Sequence, residues 1–305
     1  MVRKTITKII SVLVIPVLLV SCSGCDTEER TGFRIAQWNV QNLFDGNNDG
    51  TEYLEYTHQN GWSTKFYRSR LENVESVLSY PGLSKAEILV LNEVENQNVV
   101  SDIMHLDVLQ KRGFLWQACA SEEGGAISVA VISSIPIADV RLHSVQGARP
   151  VVETRFEICG RNVYVLALHG KSNLGEEEEV VSLRQMTGAA IEQRTRYLRT
   201  NDPSSLIVIA GDFNEDPCDG NIIRDMTLWH SFWDEGGFKT AGSYLYDGAW
   251  LHYDNILLST DYITEAGVEK TGILTDTGGS PNRWRRELLS GVSDHLPVWV
   301  QVKLI

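Results

Sequence analysis

Several short apolar runs in this chain end in carboxylate, amide or imidazole side chains, and this repeated pattern constrains the fold more than any other feature. The clearest run covers residues 206–209 and is followed by Gly211, Asp212 and Asn214. A continuous apolar run of this length predicts a strand buried on both faces. In α/β sheets, sites form at the ends of such strands, so Asp212 and Asn214 are candidates to face a metal ion or a phosphate. An Asp-x-Asn turn that only closes the strand is the alternative.

Three other predicted strands end in the same way. They cover residues 33–38, 87–91 and 163–168, and the residues that follow them are Asn39, Asn92-Glu93 and His169. An unpaired Glu is costly to bury, so Glu93 favours a nearby cation, with a surface position as the alternative. His169 shares its loop with Lys171 and Asn173, whose side chains suit phosphate oxygens, although a His at a strand end is often structural.

The rest of the chain combines predicted strands with two predicted helices. The further strands cover residues 126–132, 151–158, 251–258 and 298–304, and the helices cover residues 66–79 and 180–198. A turn at residues 159–162 makes a hairpin of the two strands beside it. The apolar stripe of the first helix includes Val74 and Leu78, so Arg70 is expected on another face. Asp254 is expected inside its strand, where a carboxylate needs a partner.

Two segments leave their interpretation open. Residues 45–50 imitate the opening of an EF-hand calcium loop, but the twelfth position is Tyr56, where a bidentate Glu is needed. We interpret this segment as an Asx-rich loop rather than as a calcium site. The aromatic residues of segment 218–250, which include Tyr244, are expected in the core, with a substrate groove as the alternative.

The N-terminus has the features of an export signal. Three cations, Arg3, Lys4 and Lys8, precede an apolar run at residues 9–20 that is too short to span a membrane. The run ends in Leu-Val-Ser-Cys22, which resembles the lipobox of bacterial lipoproteins and implies cleavage before a lipidated Cys22. Residues 1–21 are then a signal peptide and residues 22–31 a tether. We expect a protein anchored by lipid in the cell envelope, with an unlipidated signal peptide as the alternative.

Charge and cysteine content limit the partners of the remaining domain, residues 32–305. The net charge of −13 becomes −16 once the three cations of the signal are removed. An acidic surface repels polyanions, so an anionic substrate must be held by a metal or by a local basic cluster such as residues 283–286. Cys25, Cys119, Cys159 and Cys218 allow three disulfide pairings. We expect one domain and a monomer.

Seven motifs in order are similar to those of the endonuclease/exonuclease/phosphatase superfamily, the DNase I-like phosphohydrolases. They are Trp38-Asn39-Val40, Asn92-Glu93, residues 128–136, residues 169–173, residues 211–214, residues 253–259 and residues 293–298. The resemblance covers about residues 32–304. It implies an α/β fold, a four-layer α/β sandwich in which two packed mixed β-sheets are flanked by helices.

The resemblance also implies a role for each candidate residue. The metal site consists of Glu93, Asn39 and Asp294, and it holds Mg²⁺ or Mn²⁺. The catalytic residues are Asp212, Asn214, His295, Asp254 and His169. Among them, Asp212 deprotonates the attacking water, and His295, positioned by Asp254, stabilises the transition state. His169 contacts the phosphate or protonates the leaving oxygen. The substrate-binding residues are Asn39, Lys171, Asn173 and Arg283.

Departures from the superfamily pattern bear on the metal and on the substrate. Gln41 stands where many members have Asp, which puts a second metal on that side in doubt. Glu215-Asp216 and Tyr253-Asp254-Asn255 depart from the inositol-phosphate 5-phosphatase branch, whereas His169-Gly-Lys171-Ser resembles bacterial extracellular nucleases and general phosphodiesterases. We expect a Mg²⁺-dependent phosphodiesterase or nuclease, although the acidic charge opposes nucleic-acid binding. The alternatives are a sphingomyelinase-like lipid phosphodiesterase or a phosphatase, and a non-catalytic surface binding protein.

Overall fold

The computed structural model describes residues 30–238, 242–261, 267–275 and 282–304. The predicted signal peptide lies outside these residues, as does most of the predicted tether, including Cys22 and Cys25. No helix within the described ranges is both long enough and apolar enough to cross a membrane. No disulfide joins Cys119, Cys159 and Cys218, the cysteines that these ranges contain.

Strands dominate the chain. They are β1 (Gly32–Leu43), β2 (Ile88–Val94), β3 (Trp116–Ser121), β4 (Ser128–Ser133), β5 (Ile137–Val145), β6 (Ala148–Ile158), β7 (Arg161–His169), β8 (Leu206–Asp212), β9 (Trp229–Ser231), β10 (Tyr244–Tyr246), β11 (Ala249–Leu251), β12 (Asp254–Ser259), β13 (Val268–Ile273) and β14 (Val298–Lys303). The α-helices are α1 (Thr64–Leu78), α2 (Gln97–Met104), α3 (Asp107–Gln110) and α4 (Glu177–Asn201).

The strands form two six-stranded sheets, with the orders β13-β14-β1-β2-β4-β3 and β5-β6-β7-β8-β12-β9. Both sheets are mixed, because β1 pairs with β2 in parallel and β7 pairs with β8 in parallel, while their other neighbours are antiparallel. A separate two-stranded hairpin consists of β10 and β11. In each sheet, the parallel pair lies at the centre, and its strand ends carry the polar motifs of the sequence.

The two sheets pack face to face through one apolar core. Side chains on alternate positions of β1, such as Phe33 and Ile35, meet Val165 of β7 and Val208 of β8 there. The opposite face of the first sheet packs on α1, α2 and α3, and the opposite face of the second packs on α4. Each fully buried side chain of this size contributes about 1.5–3 kcal/mol. The predicted four-layer sandwich is confirmed.

The predicted hairpin is confirmed, and one predicted strand is partly wrong. Ile158 pairs with Arg161, so the hairpin turn consists of Cys159 and Gly160, both with positive φ. The predicted strand 251–258 is two strands, since β11 pairs with β10 and β12 pairs with β8 and β9. Asp254 therefore begins β12, at the end of an inner strand, beside Asp212 at the end of β8.

Arg70 is buried, contrary to the prediction from the apolar stripe. It lies three residues after Tyr67 and four before Val74, on the buried face of α1, and it is 0% exposed. Its guanidinium donates to the carbonyls of Val40 at 2.6 Å and Gln41 at 2.8 Å. The cation thus satisfies backbone oxygens at the end of β1, where no neighbouring strand can do so. This contact fastens the segment between Asn39 and α1.

Candidate active site

One end of the second sheet places three titratable side chains in a row. His169 ends β7 and pairs with Asp212, which ends β8, and Asp212 pairs in turn with Asp254 at the start of β12. The strands approach so closely that a Cβ on Gly211 would lie 2.0 Å from the carbonyl oxygen of Leu168. A glycine before Asp212 is therefore required by packing. The row forms because the three strands are direct neighbours.

The corresponding end of the first sheet supplies Asn39 and Glu93. Asn39 pairs with Asn92 across β1 and β2, and a register shift follows directly in both strands. At this irregularity Gln41, Asn42 and Glu93 adopt positive φ, which is 63° for Glu93. Residues other than glycine rarely adopt this backbone conformation, because it costs roughly 1–2 kcal/mol. Here it aims the Glu93 carboxylate towards Asn39 and Asn42, both of which donate to it.

The amide of Asn39 joins one carboxylate of each sheet at this end. Asn39 Nδ2 donates to Glu93 Oε1 at 3.0 Å and to Asp212 Oδ2 at 2.9 Å. Its own Oδ1 accepts from the backbone N–H of Gln41, which determines the orientation of the amide. Asn39 is 0% exposed. It therefore orients one carboxylate from each sheet, and its oxygen is already engaged.

Asp212 lies at the centre of the cluster. Its Oδ1 accepts from the backbone N–H of Asn214 at 2.8 Å. Its Oδ2 lies 3.7 Å from His169 Nε2 and 3.8 Å from His295 Nε2. Burial raises the pKa of Asp212 to about 7, against the opposing effect of the nearby His295 charge. A carboxylate with this pKa can accept a proton near neutral pH.

His295 is held as a cation by a buried carboxylate. Its Nδ1 lies 2.7 Å from Asp254 Oδ2, and Gln37 Nε2 donates to the other oxygen of Asp254 at 2.9 Å. Burial alone would lower the pKa of His295, but Asp254 and then Asp212 raise it to about 10. The ring of Tyr244 stacks on the imidazole with the centroids 4.4 Å apart. His295 thus presents a positively charged Nε2 towards Asp212.

His169, in contrast to His295, is a neutral imidazole. Burial, followed by the positive charges of Arg149 and His295, lowers the pKa of His169 well below its ordinary value. Its Nε2 lies 3.9 Å from Glu93 Oε1, and its buried Nδ1 has no hydrogen-bond partner among the described residues. The site therefore combines a neutral imidazole and an imidazolium on two sides of one carboxylate.

Lys171 and Asn173 make their contacts within their own loop and its neighbours. Lys171 Nζ donates to the Leu174 carbonyl at 2.6 Å. Asn173 Nδ2 donates to the Tyr253 hydroxyl at 2.8 Å and to the Asn214 carbonyl at 3.3 Å. Among the described residues, neither side chain forms a hydrogen bond or ion pair with Glu93, Asp212 or His295. Their predicted contact with substrate stays a prediction.

The remaining predicted residues lie around the cluster. Asn214 has positive φ, and its Nδ2 donates to the Gly170 carbonyl at 3.2 Å, so its side chain is engaged. Arg283 Nε lies 3.6 Å from Asp294 Oδ2, with the Arg283 side chain 70% exposed. Arg283, from the predicted basic cluster, is thus paired with Asp294, a predicted metal ligand. Arg286 instead donates to the carbonyls of Asn60 and Gly61.

Sequence patterns did not identify three residues that hold the site together. Gln37 lies two residues after Ile35 on the same face of β1, and its Nε2 donates to Asp254 and to Asn92. Arg149 of β6 donates to the Gly170 carbonyl next to His169. Arg184 of α4 donates to the carbonyls of Lys171 and Asn214 and is nearly buried. Of these three residues, only Arg184 had a signal in the sequence. It lies four residues after Val180 and seven before Ile191, a spacing that places it on the buried face of α4.

Two groups of site residues are compact enough to hold a metal ion. In the group Glu93, His169, Asp212 and in the group Asp212, Asp254, His295, the potential ligand atoms all lie within 4.8 Å of one another. The second group already contains an imidazolium whose charge is balanced by Asp254. The first group offers carboxylate oxygens and a neutral imidazole, and the Glu93 side chain is 19% exposed. It is the group whose chemistry fits a divalent cation.

Solved structures share this architecture. TDP2 from Caenorhabditis elegans matches with a TM-score of 0.62 and 18% identity, over 91% of this chain and 78% of that chain. An endonuclease/exonuclease/phosphatase family protein from Bacteroides thetaiotaomicron matches with a TM-score of 0.63 and 14% identity, over 91% and 96%. A mannosyl-6-phosphatase from the same organism matches with a TM-score of 0.60 and 15% identity, over 88% and 99%. At these identities the likeness shows the fold alone.

A family model assigns the chain more directly. No curated protein sequence matches the chain. The model described as the endonuclease/exonuclease/phosphatase family matches residues 34–304, which include both sheets apart from the first two residues of β1, and every predicted site residue. The members of this family are phosphoesterases, nucleases and phosphatases. On this evidence, the chain belongs to the endonuclease/exonuclease/phosphatase family.

Proposed function

We propose that the protein is a divalent-metal-dependent phosphodiesterase, with Mg²⁺ or Mn²⁺ as its ion. The observation that supports this most strongly is the meeting of Glu93, His169 and Asp212, from both sheets, with ligand atoms within 4.8 Å. Family membership supports the cleavage of phosphate esters.

Glu93 is the proposed principal ligand of the ion, and Asp294 assists it as the family resemblance implies. Asp212 and His169 lie close enough to Glu93 to contact the same ion, but their proposed roles are towards the water and the phosphate. When bound there, the ion supplies positive charge that offsets the phosphate and polarises its oxygens. Asn39 orients the Glu93 carboxylate through its Nδ2, since its oxygen already accepts from Gln41. A hard cation suits these oxygen ligands.

The protein residues divide the proton chemistry between them. Asp212 accepts the proton of the attacking water, while the backbone N–H of Asn214 holds its other carboxylate oxygen. His295, kept protonated by Asp254, donates to the phosphoryl oxygen on which negative charge develops. His169 is neutral and contacts the phosphate or the leaving oxygen. In this scheme water attacks phosphorus and gives one proton to Asp212, the P–O bond to the leaving group breaks, and the leaving oxygen takes a proton from solvent. Asp212 then releases its proton to solvent, which restores the starting state.

The local charge favours an anionic substrate despite the acidic surface. Arg149 lies beside His169, and Arg283 lies beside Asp294 with most of its side chain exposed. These two guanidiniums partly offset the carboxylates of the cluster and suit phosphate oxygens. We therefore place a phosphodiester, including one in a nucleic acid, ahead of an uncharged ligand.

A substrate panel tests the proposed function. The purified protein is incubated with plasmid DNA, RNA, bis(p-nitrophenyl) phosphate, p-nitrophenyl phosphate and sphingomyelin, each with Mg²⁺, with Mn²⁺ or with EDTA. We expect hydrolysis of the phosphodiesters with either ion and none with EDTA. Activity on sphingomyelin alone would indicate a lipid phosphodiesterase, activity on the monoester alone a phosphatase, and activity on none a binding protein.

The pH dependence of kcat/KM follows from the two shifted pKa values. The value of kcat/KM is expected to rise as Asp212 loses its proton at a pH of about 7. It is expected to fall as His295 loses its proton at a pH of about 10. Asp254→Asn removes the carboxylate that raises the pKa of His295. The falling limb should therefore move to lower pH by about one unit or more. An unchanged falling limb in this variant would assign that limb to another group.

The proposed location is the cell envelope, through lipid on Cys22. The support is the sequence of residues 3–22 alone, with its cations, short apolar run and terminal Leu-Val-Ser-Cys. Fractionation of cells that express the full chain tests this proposal, because a lipid-anchored protein stays with the membranes until detergent is added.

A further inference from the structure

The loop after β1 begins like an EF-hand loop but folds differently. The Asp45 carboxylate accepts from the backbone N–H and the side-chain amide of Asn47, in an Asx turn. Tyr56, at the twelfth position, is buried and stacks on Phe44 with the ring centroids 4.5 Å apart. The Asx turn that the sequence predicts is present, whereas the prediction that this segment does not bind calcium is not tested by these contacts. Two acidic residues further along this loop, Asp49 and Glu52, take no part in that turn.

Glu95 meets this loop from the end of β2 and is itself buried. Its side chain belongs to a residue that is 4% exposed, and its Oε2 accepts from the backbone N–H of Asp45 at 2.7 Å. Its Oε1 is buried and has no hydrogen-bond partner among the described residues. A buried carboxylate oxygen without a donor is unfavourable unless a cation or a proton satisfies it.

Three carboxylates converge at this point. Asp49, Glu52 and Glu95 each offer an oxygen, and these oxygens all lie within 4.8 Å of one another. The Glu52 carboxylate is turned towards the loop by the N–H groups of Asp49 and Gly50. Asn96 Nδ2 donates to Asp49 Oδ2 at 3.0 Å and positions that carboxylate. No Lys or Arg in the described part of the chain forms an ion pair with any of the three.

Solvent ions can reach this cluster. Asp49 and Glu95 line a cleft of about 830 Å³, whose other walls are the turns at residues 121–125 and 144–148. Glu122 and Glu123 lie in the first of these turns, so the cleft carries further negative charge. The negative charge of the cleft would therefore attract a cation from solvent towards Asp49, Glu52 and Glu95.

We propose that Asp49, Glu52 and Glu95 form a second cation site, separate from the group around Glu93, and that its ion is Ca²⁺. The ion completes the coordination of the buried Glu95 oxygen and balances the two loop carboxylates. Ca²⁺ binds carboxylates in monodentate or bidentate mode, tolerates irregular geometry, and completes its coordination shell with water. Mg²⁺ requires a near-ideal octahedron, which a surface loop rarely provides.

The proposed role of Ca²⁺ in this site is structural, because it joins a loop to the end of β2. Glu95 lies two residues after Glu93, so the ion joins the loop of residues 45–52 to the strand end that carries the catalytic metal ligand. The N–H of Asp45 already donates to Glu95 across the same boundary. Bound Ca²⁺ is therefore expected to stabilise the fold and to hold the backbone of Glu93 without contacting the substrate.

Calorimetric titration of Ca²⁺ into the Glu93→Gln protein tests the site, because this variant weakens the other metal group. We expect one bound Ca²⁺. Asp49→Asn combined with Glu52→Gln, in the same background, should weaken the affinity by about tenfold or more, because affinity follows the number of ligand charges. Both positions lie outside the core, so the variant should fold. The matched control is Glu122→Gln combined with Glu123→Gln, which removes two charges from the same cleft.

Thermal unfolding gives a second measurement. Ca²⁺ should raise the Tm of the Glu93→Gln protein and of the Glu122/Glu123 control, but not that of the Asp49/Glu52 variant. The unmodified protein, titrated in excess Mg²⁺, should also bind one Ca²⁺. The proposal is overturned if Ca²⁺ does not bind in either setting, or if the control loses as much affinity as the loop variant.

Discussion

Asp212→Asn is expected to lower kcat on a phosphodiester by a factor of roughly 10² to 10⁴, the usual contribution of a general base. The amide has nearly the shape of the carboxylate but cannot take a proton from water. The backbone N–H of Asn214 can still donate to its oxygen. The measurement is steady-state kinetics on bis(p-nitrophenyl) phosphate at a pH above 8, where Asp212 of the unmodified protein is ionised.

The fold of this variant should be unharmed. Because burial raises the pKa of Asp212 in the folded state to about 7, ionisation is less favourable in the folded protein than in the unfolded chain. This destabilising contribution appears as the pH rises above the ordinary pKa of Asp and is complete above about 7. An uncharged Asn removes it, but its amide nitrogen then faces the donor Nδ2 of Asn39. The two effects oppose each other, so the Tm at pH 8 should change little.

The matched control is Asp219→Asn, an exposed carboxylate seven residues further along the chain. This change should leave kcat within about a factor of two, because a surface substitution away from the cluster disturbs little. If Asp212→Asn retained full activity with a normal Tm, Asp212 would not be the base, and the assignment of the reaction to this cluster would be wrong.

Arg70→Met is expected to cost about 3 kcal/mol or more of the free energy of unfolding. The guanidinium donates to the carbonyls of Val40, Gln41 and Val292, and Met leaves these buried oxygens without donors. Each unsatisfied buried acceptor costs about 1–3 kcal/mol. Met fills part of the volume, so the loss reports on hydrogen bonding more than on a cavity. Denaturant unfolding followed by tryptophan fluorescence measures it.

Arg68→Met is the matched control on the same helix. Arg68 is exposed, so its loss should change the free energy of unfolding by no more than about 0.5 kcal/mol. Arg70→Met should also lower kcat, because Arg70 fastens the segment from Val40 to Asn42 beside Glu93. Equal stability losses in the two variants would mean that burial of Arg70 contributes nothing specific.

The local features of this protein could be predicted because they depend on neighbouring residues. The apolar run before Asp212 and the hairpin at Cys159 and Gly160 are encoded within a few positions, and both are present in the structure. The order of the motifs indicated the four-layer fold, and the two packed six-stranded sheets confirm it. By contrast, the pattern of α1 misplaced Arg70, because apolar periodicity does not show that a cation can be buried beneath carbonyl groups.

The sequence alone determined which strands are buried and which polar residues stand at their ends, since burial on both faces leaves a continuous apolar run. Only the tertiary structure decided which of those ends meet. The amide of Asn39 reaches Asp212 across 173 positions of sequence, and the loop carboxylates of Asp49 and Glu52 reach Glu95. These contacts depend on how two sheets and one loop pack together, and no pattern within a single strand carries that information.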